Sequence, residues 1–251
     1  MENERTLSLA RSAEMPPSAK VFDRGLDLPP PYSLVTLREA GDAFGHACAH
    51  AGELGAGTIV WTRRFDLAEF AVVLEPEEAL KQARSAFYVA MNALADALAA
   101  QAPPQRPISF DWPDAIRVDG VLVGGGRLGW PEEAAEDEVP DWLVFSAMVR
   151  TAVMRAGDTG LRPLLGSLEE VGFEGVDAGE LVAGFARHLM AGFHDWAEEG
   201  FADVEKRWLE LFSAGSAEAS SSPTRLDDFG DLRQALQNPS WRDPKTGLPW
   251  L

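Results

Sequence analysis

Residues 108–130 constrain this chain more than any other segment. Two apolar runs, residues 115–118 and 121–130, meet at Asp119-Gly120. Asp-Gly between apolar runs is a strong hairpin signal, because the tight turn needs positive φ at its centre. A third run, residues 108–112, stands just before them, so the segment predicts antiparallel strands. Upstream, residues 57–61 and 70–74 read as strands joined through a turn at Arg63-Arg64, and residues 142–154 are apolar enough for another buried strand. Helical patterns flank this β-rich block. Thr36-Leu37-Arg38-Glu39 has the spelling of a capping box, and Leu37, Phe44, Ala47 and Cys48 keep helical spacing until Gly52 and Gly55. Pro76-Glu77-Glu78 predicts the start of a long helix with Leu80, Phe87, Met91, Leu94 and Leu98 as its buried stripe. Leu181, Phe185, Leu189 and Trp196, then Val204, Trp208 and Leu211, predict two helices broken at Gly200. Hairpins flanked by helices imply an α+β fold with a mixed, largely antiparallel sheet, not a doubly wound parallel one.

Residues 1–27 form a polar extension, and Pro29-Pro30-Pro31-Tyr32 reads as a stiff polyproline lead-in, in preference to a PPxY interaction motif. Residues 28–212 hold the principal domain. Residues 213–225 are small and serine-rich, as a linker is, and residues 226–251 form a turn-rich C-terminal segment.

The formal charge is −18, from 22 Lys plus Arg against 40 Asp plus Glu. That balance argues against nucleic acid, whose binding draws on lysine and arginine displacing counterions, and against an anionic membrane surface. A single cysteine, Cys48, leaves no intramolecular disulfide and no cysteine-cluster zinc site. With no long apolar run and no signal-peptide pattern, the expected compartment is the cytoplasm.

Several motifs are spelled without their context. Gly124-x-Gly126-x-x-Gly129 matches a dinucleotide fingerprint, yet it follows a hairpin and runs into Trp130-Pro131, which cannot open the required helix. The glycines either leave a strand bare for a ligand or admit another element crowding against it. Asp228-Phe229-Gly230 lacks every other kinase element. His46 and His50 read as solvated helix positions, and no metal site is expected. Cys48 lies on the apolar side of the first helix, where burial raises a thiol pKa, so it reads as structural. The acidic run between Glu132 and Asp141 lacks calcium-loop spacing and reads as a solvated, mobile loop.

The block from Phe110 through Trp112-Pro113-Asp114, Ile116 and Asp119-Gly120 to Gly124-Gly125-Gly126 resembles the central signature of the biotin and lipoate protein ligase family. In that family a Lys-Trp-Pro-Asn-Asp-Ile strand turns through Asn-Gly into a return strand containing Ala-Gly-Ile. The likeness spans about residues 28–212, with the preceding helix and strands in the same order. Pro239-Ser240-Trp241-Arg242-Asp243-Pro244 resembles a tail in an uncharacterised bacterial branch of the family. The resemblance implies the family's catalytic-domain fold with a small C-terminal appendage. It also implies ATP with biotin or lipoate as ligands, acyl-adenylate chemistry, and a carrier-domain protein or small acyl acid as partner.

Two departures bear on activity. Asp111 stands at the family's lysine, and Ala115 at its aspartate; between Ala56 and Phe70, where a Gly-Arg-rich loop is expected, only Arg63 and Arg64 appear. A charge pair at ~4 Å in an effective dielectric of about 20 is worth roughly 4 kcal/mol, and reversing one charge swings the interaction by about twice that. None of the four lysines, Lys20, Lys81, Lys206 and Lys245, stands at the motif. These departures oppose standard ATP-dependent ligation and leave the catalytic residues unassigned. Arg127 is the compensating cation if it turns toward the ligand, and period-two alternation through three glycines leaves its direction open. The expected pocket is therefore Trp112, Pro113, Asp114, Gly124, Gly125, Gly126 and Arg127, with Arg63 and Arg64 as further cations. The reading is a ligase-like protein that binds a small acyl acid or its adenylate. The alternatives are a non-catalytic interaction protein working through its acidic loop and tail, and a lipoate-pathway acyltransferase using Cys48.

Overall fold

The computed structural model describes residues 26–153, 164–215 and 223–249. Seven strands form one sheet in the order β1-β2-β3-β7-β6-β5-β4. They are β1 (Ser33–Leu37), β2 (Thr58–Arg63), β3 (Leu67–Leu74), β4 (Ile108–Asp111), β5 (Ala115–Val118), β6 (Val121–Gly129) and β7 (Leu143–Arg150). Only β1 and β2 are parallel; every other pair is antiparallel, so the α+β expectation holds.

The sheet has helices on both faces. On one lie α3 (Ala86–Ala99), α4 (Ala178–Glu199) and α5 (Phe201–Gly215), preceded by the single turn α2 (Leu80–Ala83). The anticipated stripe of Leu80, Phe87, Met91, Leu94 and Leu98 is fully buried there, and Gly200, at φ 89°, ends α4 as expected. The other face is covered at one end by α1 (Ala43–Leu54). At the other end it is covered by the C-terminal segment, which follows a short 3-10 helix (Leu226–Phe229) and α6 (Leu232–Ala235).

Four local expectations change. Thr36 and Leu37 belong to β1, not to a helix, because Leu34 packs toward one core and Val35 and Leu37 toward the other, the period of a strand between two layers. The helix opens at Asp42, whose carboxylate accepts from Gly45 N–H at 3.0 Å, and it runs through Gly52 to stop at Gly55. The proline run is a turn with a cis Pro30–Pro31 bond, closed by Tyr32 N–H to Pro29 O at 3.0 Å. The long helix expected from Pro76 begins only at Ala86; before it stands the single turn α2, whose Leu80 and Lys81 N–H groups donate to the carbonyls of Glu138 and Glu136. The acidic loop that makes those bonds is tied down by its backbone, while Glu132, Glu133, Asp137, Glu138 and Asp141 are exposed to solvent as expected. Its Glu136 carboxylate is held below the usual range first by its hydrogen bond with Arg84, and Arg233 also pairs with it.

Of the expected linker, residues 213–215 finish α5, and residues 216–222 lie outside the described residues. Beyond it, Leu226, Leu236 and Trp241 are buried with the sheet and helices. No described helix is long and apolar enough to cross a membrane.

An aromatic cluster ties α5 to the rest: Trp208, fully buried, stacks on Phe110 and Phe212 and meets Tyr88 and Phe229 edge-on. Trp208→Ala should lower the unfolding free energy by about 3–5 kcal/mol, the usual cost of emptying a buried aromatic site. Urea denaturation of variant and parent measures it; a loss under ~1 kcal/mol would show that the cluster contributes little.

Candidate functional site

The glycines of β6 divide the sheet's two faces. A Cβ on Gly126 would press on Met91 of α3 at 2.6 Å, whereas one on Gly129 would meet Phe44 and Cys48 of α1 at 2.9 Å. Gly125 shares the Gly129 face, and there a Cβ would lie 2.5 Å from the Trp241 indole nitrogen. The strand is thus crowded: on this face by α1 at Gly129, and at Gly125 by the Asp114 carbonyl and by Trp241 of the chain's own C-terminal segment.

Arg127 lies between Gly125 and Gly129 and points to that same face. Its guanidinium stands 3.8 Å from the centre of the Phe44 ring. Among the described residues it has no ion pair or hydrogen bond. Burial and then the nearby Arg242 pull its pKa down to about 10. Neighbouring Glu69 is 2% exposed and accepts from the Ala43 N–H at 3.0 Å, its pKa raised by burial. Cys48 is close enough to feel Arg127, yet burial outweighs that and pushes the thiol up to about 11.

The remaining expected residues scatter. Asp114 is fully buried and accepts from both the backbone N–H (3.1 Å) and the hydroxyl (2.6 Å) of Ser240. Desolvation lifts its pKa to about 6 in spite of those donors. Pro113, joined to Trp112 by a cis bond, is buried in the turn before β5. Trp112 faces the opposite side of the sheet and stacks on Phe229 at 5.6 Å. Gly124 packs against the β7 backbone at Met148 and Val149. Arg63 lies over the Trp61 ring and lines a separate cleft of about 640 Å³ with Asp27 and Arg187. Arg64 is committed to a bidentate pair with Asp66 at 2.9 and 3.1 Å. Asp111 pairs with Arg117 at 2.7 Å, so the carboxylate expected to oppose an adenylate has a cation of its own.

Four contributors escaped the sequence reading. Glu69 had a signal, being the one charged residue in the eight-residue strand Leu67–Leu74. Phe44 was assigned to a helix face without its arginine. Trp241 and Arg242 were marked only by the resemblance of the tail, and nothing local says that they return to Gly125 and Arg127.

A mixed sheet with a glycine-rich return strand, α1 on one of its faces and a Trp-Pro turn before β5 is the scaffold of the biotin protein ligase catalytic domain. Residues 28–210 match the sequence profile of the biotin/lipoate A/B protein ligase family, and the chain belongs to that family. A biotin protein ligase-like protein of unknown function from Silicibacter sp. is 30% identical, with a TM-score of 0.67 over 75% of this chain and 81% of that one. The biotin protein ligase of Aquifex aeolicus, solved with biotin and ATP, shares the fold at 14% identity and TM-score 0.55, over 71% of this chain and 78% of that one. That of Leishmania major, solved with biotinyl-5-AMP, is similar at 14% identity and TM-score 0.55, over 78% and 87%. No curated protein matches the chain.

The residues present do not fit ATP at the glycine strand. No lysine stands there, Arg64 is held by Asp66, and the Trp241 indole covers Gly125.

Two outcomes follow from the titrating groups. Because the folded Asp114 pKa is raised, its contribution to stability is largest below the ordinary carboxyl range and is lost as pH rises through about 6. Relative to Asp114→Asn, the parent should therefore lose up to about 3 kcal/mol between pH 4 and pH 7.5. Chemical denaturation at both pH values measures the difference, and a pH-independent difference would refute it. For Cys48, iodoacetamide alkylation should keep accelerating beyond pH 9, with no plateau near the ordinary thiol pKa of ~8.5.

Proposed function

We propose that this protein binds a small acyl acid through Arg127, as a receptor on the ligase scaffold, and does not run ATP-dependent ligation. One observation carries the reading. In a chain with 40 carboxylates, Arg64, Arg84, Arg106, Arg117, Arg207, Arg225 and Arg233 each hold one; Arg150, Arg187 and Arg242 donate instead to backbone carbonyls, and Arg38 and Arg63 are exposed. Arg127, half-buried among α1, β6 and the C-terminal segment, holds none among the described residues. A guanidinium withdrawn from water without an anion is costly, and a carboxylate ligand meeting its planar fork with two charge-assisted bonds offsets that cost. Phe44 beneath it fixes the plane. Arg242 beside it adds positive potential, which lowers the pKa of Arg127 and favours an anion.

The chemistry of binding follows from the groups in place. The ligand's carboxylate docks ionised on Arg127. Glu69, held by the helix N-terminus, limits how much negative charge the site accepts, so a monoanion is preferred to a dianion. Cys48, protonated at neutral pH, serves packing against Gly129 and not transfer. An interaction protein working through a free acidic loop and tail is favoured less, because the tail packs on the sheet and the loop is tied to α2 by backbone bonds and to Arg84 and Arg233 through Glu136.

Titration calorimetry of the full-length protein with butyrate, octanoate, lipoate and biotin tests this. At least one acid should bind, and Arg127→Gln should weaken it by about tenfold to a hundredfold, the worth of a hydrogen bond to a charged group. Flat titrations with all four acids would overturn the proposal.

A further inference from the structure

We infer that Trp241 is the specificity-determining residue of the Arg127 site. Its indole fills the apolar half of an amphipathic-acid groove, so a short carboxylate is held while a longer acyl chain is kept out until the C-terminal segment moves. This rests on the reading of Arg127 as the carboxylate anchor and adds what sets the length of the acid.

The sheet face itself sets the direction of the groove. Along β6, Gly125, Arg127 and Gly129 succeed one another on one side, each step of two residues spanning roughly 6–7 Å. At the Gly129 end the way is shut by Phe44 and Cys48, which would stand 2.9 Å from an added Cβ. Along the strand, the direction left to an acid anchored on Arg127 is toward Gly125, where the indole stands beside the Asp114 carbonyl. That end is an apolar chamber: Leu67, Ala115, Leu122 and Met148, from four different strands, pack around the indole, with Leu165 and Leu248 at the margin. The indole is fully buried, and its N–H donates to Gly126 O at 3.0 Å. The chamber therefore has an internal occupant of ligand-like chemistry, a flat apolar body with one polar atom bonded to strand backbone.

The occupant is built to be displaced. Its flanks are held by polar contacts: Ser240 on Asp114, and the Pro249 carbonyl accepting from Arg150 at 2.9 Å. The turn behind it is closed within itself, by Asp243 N–H to Leu248 O at 2.9 Å and Gly247 N–H to Asp243 O at 2.8 Å. It can leave as a unit without unfolding a strand. Docking also buries Asp114 with no cation against it among the described residues, which opposes closure. Arg242, one residue on, goes with Trp241, so release of the segment changes the groove's length and its charge together.

The test compares butyrate and octanoate binding by calorimetry in the full-length parent, Trp241→Ala, Ser240→Ala and Arg127→Gln. The parent should prefer butyrate. Trp241→Ala should raise octanoate affinity at least about tenfold, as four additional methylenes find apolar cover, with butyrate changed by less than about threefold. Ser240→Ala, which loosens the segment and keeps the indole, should shift the ratio the same way by less. An octanoate-to-butyrate ratio that stays the same in Trp241→Ala overturns the inference. Should that variant lack a cooperative melt, Trp241→Leu takes its place under the same criterion. Butyrate bound in the parent and lost in Arg127→Gln upholds the anchor even when the ratio does not move. No binding of either acid to the parent and Trp241→Ala alike overturns the anchor and the inference with it.

Discussion

The pairing of β3 with β7 holds the molecule together. Eight residue pairs run antiparallel from Leu67 opposite Arg150 to Leu74 opposite Leu143, joining strands separated by α2 and α3, a three-stranded meander and the acidic loop. On one side of this seam hang β1 and β2, on the other β6, β5 and β4. Because both strands are buried on both faces, the side-chain alternation along them decides what each face presents. Phe70, Val72, Phe145 and Ala147 feed the core under α3 and α4. The intervening residues include Glu69 on β3, Ser146 on β7, and Met148 in the chamber that holds Trp241. A slip of one residue in this register would exchange the two sets.

Charge is distributed by the same logic. A chain with so large an acidic surplus has no shortage of partners for its arginines, and most of them are used to fasten loops. Arg84 and Arg233 anchor the acidic loop through Glu136, and Arg64 braces the β2–β3 turn through Asp66. Against that background Arg127 is half-buried and stacked on Phe44 with neither an ion pair nor a hydrogen bond among the described residues, and on that ground it is proposed as the anchor for an anion from elsewhere. The surplus of carboxylates disfavours highly charged phosphate ligands at long range. It does not prevent a single carboxylate from docking on a local cation.

Much of the fold was legible in advance. The Asp119-Gly120 hairpin, the strands around it, the buried stripe of α3 and the break at Gly200 all express local rules: turn geometry, periodicity and helix capping. The misreadings were also local. Thr36 to Glu39 satisfies a capping pattern, but Leu34 and Val35 face different layers and the strand wins. Pro76 is a good first-turn residue, but the N–H groups of Leu80 and Lys81 find acceptors in a loop more than fifty residues away. The Trp-Pro motif marked its strand-turn correctly, although Trp112 itself faces the helices and not the glycines.

The sequence by itself determined the sheet's hairpins, the helical layers, the family and the loss of the motif lysine, since each follows from spacing or from identity at a position. Tertiary structure alone decided the direction of Arg127, the neutralisation of Asp111 by Arg117, and the return of Trp241 to the strand at Gly125. The reason is physical. A glycine strand permits close approach from either face, and which body approaches depends on α1, about eighty residues earlier, and on Trp241, more than a hundred later, while the Asp111–Arg117 pair depends on how two side chains meet across one hairpin; no local periodicity carries either.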